Sequence, residues 1–538
     1  MEDHFATIWE SIADVIGDEV AVVNGTTRRT WTEYDDRASR LSAAMTEAGL
    51  GPDSKVGLYL YNSNEYLESQ FAAMKFRGVP VNVNYRYLDE ELLYLIENSD
   101  AEALIFHTSL GDRVARVMSR APNVRAWIEV DDGGDSIPGA LAYEELIAGH
   151  DPAARVTRSE DDLYMLYTGG TTGMPKGVMY DTGGMVQFFI RLGFPIVGLP
   201  TPATEDLAAT VRNAHEEGNR VSSLPGCPLM HGTGMWLGAM MPQMAGAKVI
   251  TLPSRSFEAG ELWQTAQDES ASQVVIVGDA FAKPMLDALT SARDAGTPYD
   301  LSSIRFLISS GVMWTSEVKR ELLDWSDFIL VDAMGSSEGS MGTQITTRGN
   351  VGATARFTRG EHTKLFREDG SEVEAGSGEA GMVAAGGTVP LGYYKDEAKS
   401  AATFKTIDGV RYSFPGDWGI LEADGSLTLL GRGSNCINTA GEKVYPEEVE
   451  EAVKQHPDVI DCLVVGVEDP KFGQRVTAVA APEPGKQLDG DALRAFTRER
   501  LAAYKVPKQV LVVERVKRAP NGKADYAWAR AEVDAAES

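Results

Sequence analysis

The sequence predicts an α/β chain with one large domain and a smaller α+β domain behind it. Three observations predict this. The chain has 538 residues, and single hydrophobic cores stop growing beyond roughly 250–300 residues. Short, continuously apolar runs recur between helical stretches in the N-terminal part, which is how parallel strands covered on both faces read. After about Asn350 the texture turns β-rich, and beyond Gly431 it turns into a small mixed unit.

The elements follow in order. Thr30-Trp31-Thr32-Glu33 reads as a capping box. Tyr34, Ala38, Leu41 and Met45 then recur at helical spacing, and Gly49 stands where a C-cap belongs. Strands are expected at Val56–Leu60, Val79–Val83, Ala103–Phe106, Val249–Leu252, Val274–Val277, Ile304–Ile308 and Phe328–Val331. Between helices they make a layered α/β architecture. From Val351 to Leu430, Asp369-Gly370 and Asp424-Gly425 each sit between β-rich runs, which is a hairpin signal. The last unit predicts a helix over Pro446–Gln455, strands at Val459–Val467 and Val476–Ala480, a loop over Pro482–Gly490, a helix over Asp491–Leu501 and a strand at Val510–Val513.

Composition excludes several classes. Hydrophobic residues at 43% and charged residues at 24% are ordinary globular values, so the bulk of the chain is not disordered. The net charge of −29 repels nucleic acid and anionic membrane. Cys227, Cys436 and Cys462 are far apart with no CxxC pair, which argues against a disulfide framework or zinc site and fits a reducing, cytoplasmic setting. The start, Met1 to Trp9, lacks the basic-then-apolar pattern of a signal peptide. No apolar run approaches the roughly 20 residues that span a bilayer.

The most informative stretch is Tyr167-Thr168-Gly169-Gly170-Thr171-Thr172-Gly173-Met174-Pro175-Lys176-Gly177, after the strand-like run Leu163–Leu166. Glycines let the backbone approach phosphate oxygens closely, and successive N–H groups form an anion nest. The threonine hydroxyls add neutral donors, and Lys176 adds a point charge. A Walker A loop fails here, because Pro175 precedes the lysine and Gly177 follows it. The bland alternative is a flexible surface loop; four glycines, three threonines, a proline and a lysine at this spacing weigh against it.

This stretch resembles the signature of the adenylate-forming superfamily, which holds acyl-CoA synthetases, non-ribosomal peptide adenylation domains and beetle luciferases. There the loop holds the β- and γ-phosphates of ATP. The resemblance extends, in the family's order, from roughly Thr30 to Lys523. Pro228-Leu229-Met230-His231-Gly232-Thr233-Gly234 is similar to the family's P-x-x-H-x-x-G, which would place His231 beside the reacting carboxylate. Ser309-Ser310-Gly311 resembles the segment that packs on adenine. Met334-Gly335-Ser336-Ser337-Glu338 resembles Tyr-Gly-x-Thr-Glu, with Met334 in place of the aromatic; Glu338 would help hold Mg²⁺ as a hard oxygen ligand. Asp417 matches the aspartate that accepts from both ribose hydroxyls, and Arg432 the arginine that also reaches the ribose. The residues support this pair independently. The Asp424-Gly425 turn would fold the two strands back, which returns both charges to the same end. Lys523, in Pro520-Asn521-Gly522-Lys523, matches the lysine that contacts the α-phosphate and the substrate carboxylate.

The resemblance implies a large N-terminal domain over residues 1–431, with two α/β layered subdomains and a β-rich subdomain. It implies a hinge at 432–434 and a small mobile α+β domain over 435–538. It also implies two half-reactions: adenylation of a carboxylic acid, then transfer of the acyl group to coenzyme A. Lys523, Mg²⁺ on Glu338 and the loop from Thr168 to Lys176 would serve the first. The small domain would then rotate, bringing Ala440 and Gly441 to line the coenzyme A tunnel. Two positions depart from the family pattern: the hinge carries Ser434 in place of Asp or Lys, and Asn438 stands where Lys often follows Ile437. Because ATP and coenzyme A are anions and the chain is acidic, the site must supply its own positive potential.

The acyl pocket is expected from His231–Trp236, Val277–Phe281, Ser310–Trp314 and Met334–Met341. Met235, Trp236, Phe281, Met313 and Met334 would make it apolar and adaptable, suiting an aliphatic, steroidal or aromatic acid. The N-terminal half is most similar to bacterial fatty-acyl and steroid side-chain CoA synthetases, through Phe71–Lys75 and Val79–Tyr87. The alternatives are a ligase that passes the acyl group to a carrier protein and a non-catalytic nucleotide or acyl sensor. Too few residues follow Lys523 to form a carrier domain. The oligomeric state is left open, with a homodimer among the alternatives.

Overall fold

The computed structural model describes residues 1–170, 173–439, 442–469, 473–519 and 522–537. The helix Trp31–Glu47 starts at the expected capping box: the Glu33 amide donates to Thr30 Oγ1 (3.2 Å) and the Thr30 amide to Glu33 Oε2 (2.8 Å). It buries Tyr34, Ala38, Leu41 and Met45, and Gly49 follows the cap with a φ of +90°.

Among the described residues, one five-stranded sheet is wholly parallel. Its order is Val79–Asn82, Lys55–Tyr59, Ala101–His107, Ala126–Val130, Leu141–Ala142. A second sheet is larger than expected. It runs parallel from Val20–Asn24 through Lys248–Thr251, Ser222–Pro225, Gln273–Ile276 and Phe306–Ser310 to Ile329–Ser336. It continues antiparallel through Gly339–Thr346 and Arg356–Arg359 into Leu427–Arg432 and Asp417–Leu421. The α/β and β-rich regions are therefore one hydrogen-bonded sheet, fused by Arg356–Arg359.

The local differences have simple causes. The strand expected at Ile304 begins at Phe306, because Leu301–Ile304 is taken up in a turn (Ile304 N to Leu301 O, 3.1 Å). The Asp424-Gly425 turn closes the hairpin as expected, with Glu422 N to Ser426 O at 2.8 Å. Asp369-Gly370 makes a smaller turn, closed by a single bridge between Phe366 and Glu372; Thr363–Phe366 pairs instead with the more distant Ala380–Ala385.

The C-terminal unit is a five-stranded sheet among the described residues. Val459–Asp469 and Gly473–Pro482 form its long central hairpin, with Gln509–Val512 parallel to the latter. The helices Pro446–Lys454, Gly490–Arg498 and Tyr526–Glu537 cover it. The hairpin of Ile437–Thr439 with Glu442–Val444 and the last helix had no expectation from the sequence. Among the described residues, no helix is long and apolar enough to cross a membrane.

Candidate active site

On both sides of Thr171 and Thr172 the glycine-rich stretch is paired strand. Leu163–Gly170 and Gly173–Asp181 pair antiparallel with Thr168 opposite Lys176, and Gly392–Tyr393 adds a third strand. Thr171 and Thr172 lie outside the described residues. Lys176 Nζ lies 3.5 Å from an Asp396 oxygen and 5.5 Å from the centre of the Tyr393 ring. Asn82, buried at 9% exposure, ties the base of this hairpin to the His231 segment. It donates to the carbonyls of Tyr167 (2.8 Å) and Met230 (2.7 Å) and accepts from the Tyr167 amide (2.7 Å).

The edge of the large sheet supplies the next group. Ser310 ends the strand Phe306–Ser310 and donates to the Ala333 carbonyl (2.7 Å); Gly311 follows at φ +94°, close to Thr233. Gly335 and Ser336 close the strand Ile329–Ser336, and Ser337 and Glu338 form the two-residue tip before Gly339, whose φ is +154°. Glu338 Oε1 accepts from the Tyr393 hydroxyl (2.8 Å) and Oε2 from Ser337 Oγ (3.3 Å); the Ser337 carbonyl accepts from Tyr180 (3.0 Å).

Asp417 and Arg432 are directly opposite in the antiparallel register, with Nε to Oδ1 at 3.4 Å, as the turn between them requires. Burial raises the Asp417 pKa, against the pull of Arg432; the charge of Asp417 in turn raises that of Arg432. Gly431 (φ +129°) has no room for a Cβ against the Glu447 carboxylate, nor has Gly433 against the Trp418 indole.

Lys523 comes from the small domain. Its turn is braced by Arg518, which clasps Asp461 (2.6 and 2.7 Å) and donates to the Gly522 carbonyl (3.2 Å). Gly522 packs on Ala280 in the first turn of the helix Gly278–Asp294, and Lys283 Nζ donates to the Ile460 carbonyl (2.7 Å) across the same interface. Burial lowers the Lys523 pKa, as does Arg432, while Glu338 and Asp417 oppose them. His231 is held down to about 4 by burial and by the nearby charges of Lys523 and Arg86, so it is neutral at pH 7.

The structure thus brings His231, Glu338, Asp417, Arg432 and Lys523 into one electrostatic neighbourhood, next to the glycine-rich strand pair. It does not treat all the expected pocket residues alike. Trp236 donates to the Tyr164 hydroxyl (2.8 Å) and meets Tyr180 edge-on (6.0 Å). It sits on the segment Thr233–Met240, a π-helical stretch of the kind enriched at functional sites. Met235, Phe281 and Met334 are buried in core packing, Phe281 against Phe257 at 4.5 Å between ring centres. Ala440 and Gly441 lie outside the described residues. Sequence reasoning missed Tyr393, Tyr180 and Asn82, which act through pairing partners far away in the chain.

A large α/β domain with a small C-terminal α+β domain that brings Lys523 to the charges of Glu338, Asp417 and Arg432 is the setting of the site, and the chain belongs to the AMP-binding enzyme family. It matches that family over residues 9–394 and the family's C-terminal domain over residues 448–523. It is 41% identical over 537 residues to the 3-oxocholest-4-en-26-oate–CoA ligase of Rhodococcus rhodochrous, covering 98% of this chain and 95% of that one. It is 40% identical over 534 residues to a medium/long-chain-fatty-acid–CoA/3-oxocholest-4-en-26-oate–CoA ligase of Mycolicibacterium smegmatis, with 98% and 96% covered. In fold it is similar to an anthranilate CoA ligase solved with anthranoyl-AMP, at a TM-score of 0.84 and 21% identity, with 99% and 98% covered.

Magnesium suits the residues present. Glu338 offers hard carboxylate oxygens held by neutral hydroxyls. Among the described residues no group of three or more His, Cys, Asp or Glu could hold a metal ion. A bound ion would therefore take its other ligands from phosphates and water, as Mg²⁺ bound with a nucleotide does.

Proposed function

We propose that this chain activates a steroid side-chain acid or a medium- to long-chain fatty acid and joins it to coenzyme A. The enzyme is an ATP-dependent, AMP-forming acyl-CoA synthetase. One observation carries the residue assignments: Lys523 of the small domain sits in the same charge cluster as Glu338, Asp417 and Arg432.

In the first step the substrate carboxylate attacks the α-phosphorus of ATP, and pyrophosphate leaves. Asp417 accepts from the ribose hydroxyls, and Arg432, opposite it, favours its charged form against burial and aligns it. Ser310, Gly311, Gly335, Ser336 and Ser337 line the adenine and α-phosphate side. Thr168, Gly169, Gly170, Thr171, Thr172, Gly173 and Lys176 hold the outer phosphates. Lys523 neutralises charge on the transferring phosphate, so catalysis is positioning plus electrostatics. Bound to Glu338, Mg²⁺ supplies further charge neutralisation on the phosphates. His231, neutral, lines the acyl carboxylate without adding a competing cation.

In the second step the coenzyme A thiol attacks the mixed anhydride and AMP leaves. We assign the boundary between domains 1–431 and 435–538 to a hinge at 432–434. The tight quarters at Gly431 and Gly433 support this, since small residues are needed on both sides of Arg432. Rotation there withdraws Lys523 and brings Ala440 and Gly441 toward the thiol. The widely spaced, free cysteines support a cytoplasmic setting.

The test is AMP and pyrophosphate release from ATP and Mg²⁺, with and without coenzyme A, across acids from acetate through long-chain fatty acids to steroid and aryl acids. CoA-dependent turnover peaking with steroid or long aliphatic acids is expected. Release indifferent to coenzyme A would instead favour an acyl-adenylate ligase serving a carrier protein, and no turnover with any acid would favour a sensor.

A further inference from the structure

Glu338 stands at the tip of a two-residue turn, where a carboxylate is poorly constrained by its own backbone. What holds it comes from elsewhere. Oε1 accepts a 2.8 Å hydrogen bond from the Tyr393 hydroxyl, while Oε2 has a longer one, 3.3 Å, from the adjacent Ser337. Tyr393 is not a neighbour by chance. Its strand is paired to the second strand of the phosphate hairpin, with Gly392 opposite Met179 and Tyr393 opposite Val178. The flanking residues extend the pairing: Leu391 N donates to Met179 O (2.7 Å) and Tyr394 N to Gly177 O (2.8 Å). Ser400 Oγ accepts from the Tyr393 amide (2.8 Å), and Phe404 packs on its ring at 5.3 Å.

The same small sheet grips the turn a second time, because Tyr180, on that same hairpin strand, donates to the Ser337 carbonyl (3.0 Å). Lys176 lies over the Tyr393 ring at 5.5 Å. Thus two phenol hydroxyls tie the small sheet that carries Lys176 to this turn, Tyr393 at the Glu338 carboxylate and Tyr180 at the Ser337 backbone carbonyl.

We propose that Tyr393 is a positioning residue that registers the phosphate hairpin against Glu338, so that triphosphate in the hairpin and a divalent cation on Glu338 are bound as one unit. The proposal rests on the reading of Glu338 as the metal carboxylate. Removing the hydroxyl leaves the ring and its packing but frees the carboxylate to swing. Partners that orient a metal ligand typically change metal affinity about 10–100-fold when lost.

The experiment compares Tyr393→Phe and Glu338→Gln in the full chain. Calorimetric titration of ATP at a series of Mg²⁺ concentrations gives the metal dependence of binding without turnover, and AMP titrated without metal is the control. Tyr393→Phe is expected to raise the Mg²⁺ needed for half-maximal ATP affinity about tenfold, in the range for such partners. AMP binding, the KM for the acid and thioester formation from supplied acyl-adenylate should stay at wild-type values. Excess Mg²⁺ should restore pyrophosphate exchange, and the double variant should be no worse than Glu338→Gln. A Mg²⁺ shift in Glu338→Gln without one in Tyr393→Phe would overturn the coupling and leave the metal assignment standing. No shift in either would overturn the metal assignment itself. Weakened AMP binding in Tyr393→Phe would overturn the proposal in favour of a purely structural role. Tyr180→Phe, which cuts the second tie, gives an independent reading: the same direction of shift supports the proposal, and its absence opposes it.

Discussion

Gly522→Ala should separate the two half-reactions. In the observed arrangement a Cβ on residue 522 would lie 2.9 Å from the Ala280 Cβ. Carbon atoms settle at about 3.5–4.0 Å, so the turn must retreat by roughly 0.6–1.1 Å. Neither methyl can rotate away, because both are fixed to backbone, and Ala280 sits in the first turn of a helix. Lys523 is the next residue, so it retreats too. A misplacement of about 1 Å at a reacting centre costs on the order of 10²-fold in rate. The φ of +73° adds a left-handed penalty of about 1–2 kcal/mol. That penalty is present in either domain orientation, so it lowers stability without selecting a step, whereas the methyl clash exists only when the lysine turn is docked. Pyrophosphate exchange should therefore fall about 10²-fold, while thioester formation from supplied acyl-adenylate and coenzyme A stays near the wild-type rate. Adding Ala280→Gly removes the opposing methyl and should recover most of the exchange. Wild-type exchange in the single variant, or equal losses in both steps, would refute the docking argument.

Lys523→Ala should lower adenylation by about 10²–10³-fold, as loss of one preorganised charge donor does, with thioester formation from acyl-adenylate retained; half-reaction assays check this. Asp417→Asn removes the carboxylate charge opposite Arg432 and turns one accepting oxygen into a donor, and should weaken ATP binding by about 1.5–3 kcal/mol, which calorimetry would read directly. Gly441→Leu should block the coenzyme A step while pyrophosphate exchange continues, and normal acyl-CoA output would remove Gly441 from the tunnel. His4 caps the first helix by accepting the Ala6 amide at Nδ1 (3.1 Å), and burial lowers its pKa from 6.5 to about 3. The unfolded chain then binds a proton below pH 6.5 that the native state refuses, so stability is lost as pH falls. Between pH 7 and pH 5 this amounts to about 2 kcal/mol, and His4→Asn, which keeps a capping oxygen, should lack that loss in urea titrations at the two pH values.

Much of the framework around the candidate site was legible because its signals are local in the chain. The Thr30/Glu33 capping box and the Asp424-Gly425 turn each depend on neighbours within a few residues, so residue type and spacing were enough to place them. The opposition of Asp417 and Arg432 followed from that turn alone. What escaped depends on pairing between distant segments. Nothing around Tyr393 announces that its two-residue strand completes the phosphate hairpin, and Asn82 reads as one polar residue in an apolar run. Met235, Phe281 and Met334 show the converse. They were expected to line the acyl pocket and lie in buried clusters, and apolar character by itself serves core and pocket equally.

The fusion of the two large layers through Arg356–Arg359 bears on how the molecule comes apart. That strand is hydrogen-bonded to Gly339–Thr346 on one side and Leu427–Arg432 on the other. Freeing either layer strips the strand of one of its ladders and leaves raw edges on both halves. The strands that end in Ser310 and Ser336 and those that carry Asp417 and Arg432 therefore belong to one hydrogen-bonded sheet. The seam where the chain can open without tearing a sheet lies after Arg432. A hinge at that seam would let the small domain turn, drift in sequence or be exchanged by recombination while the sheet that carries Asp417 and Arg432 stays whole.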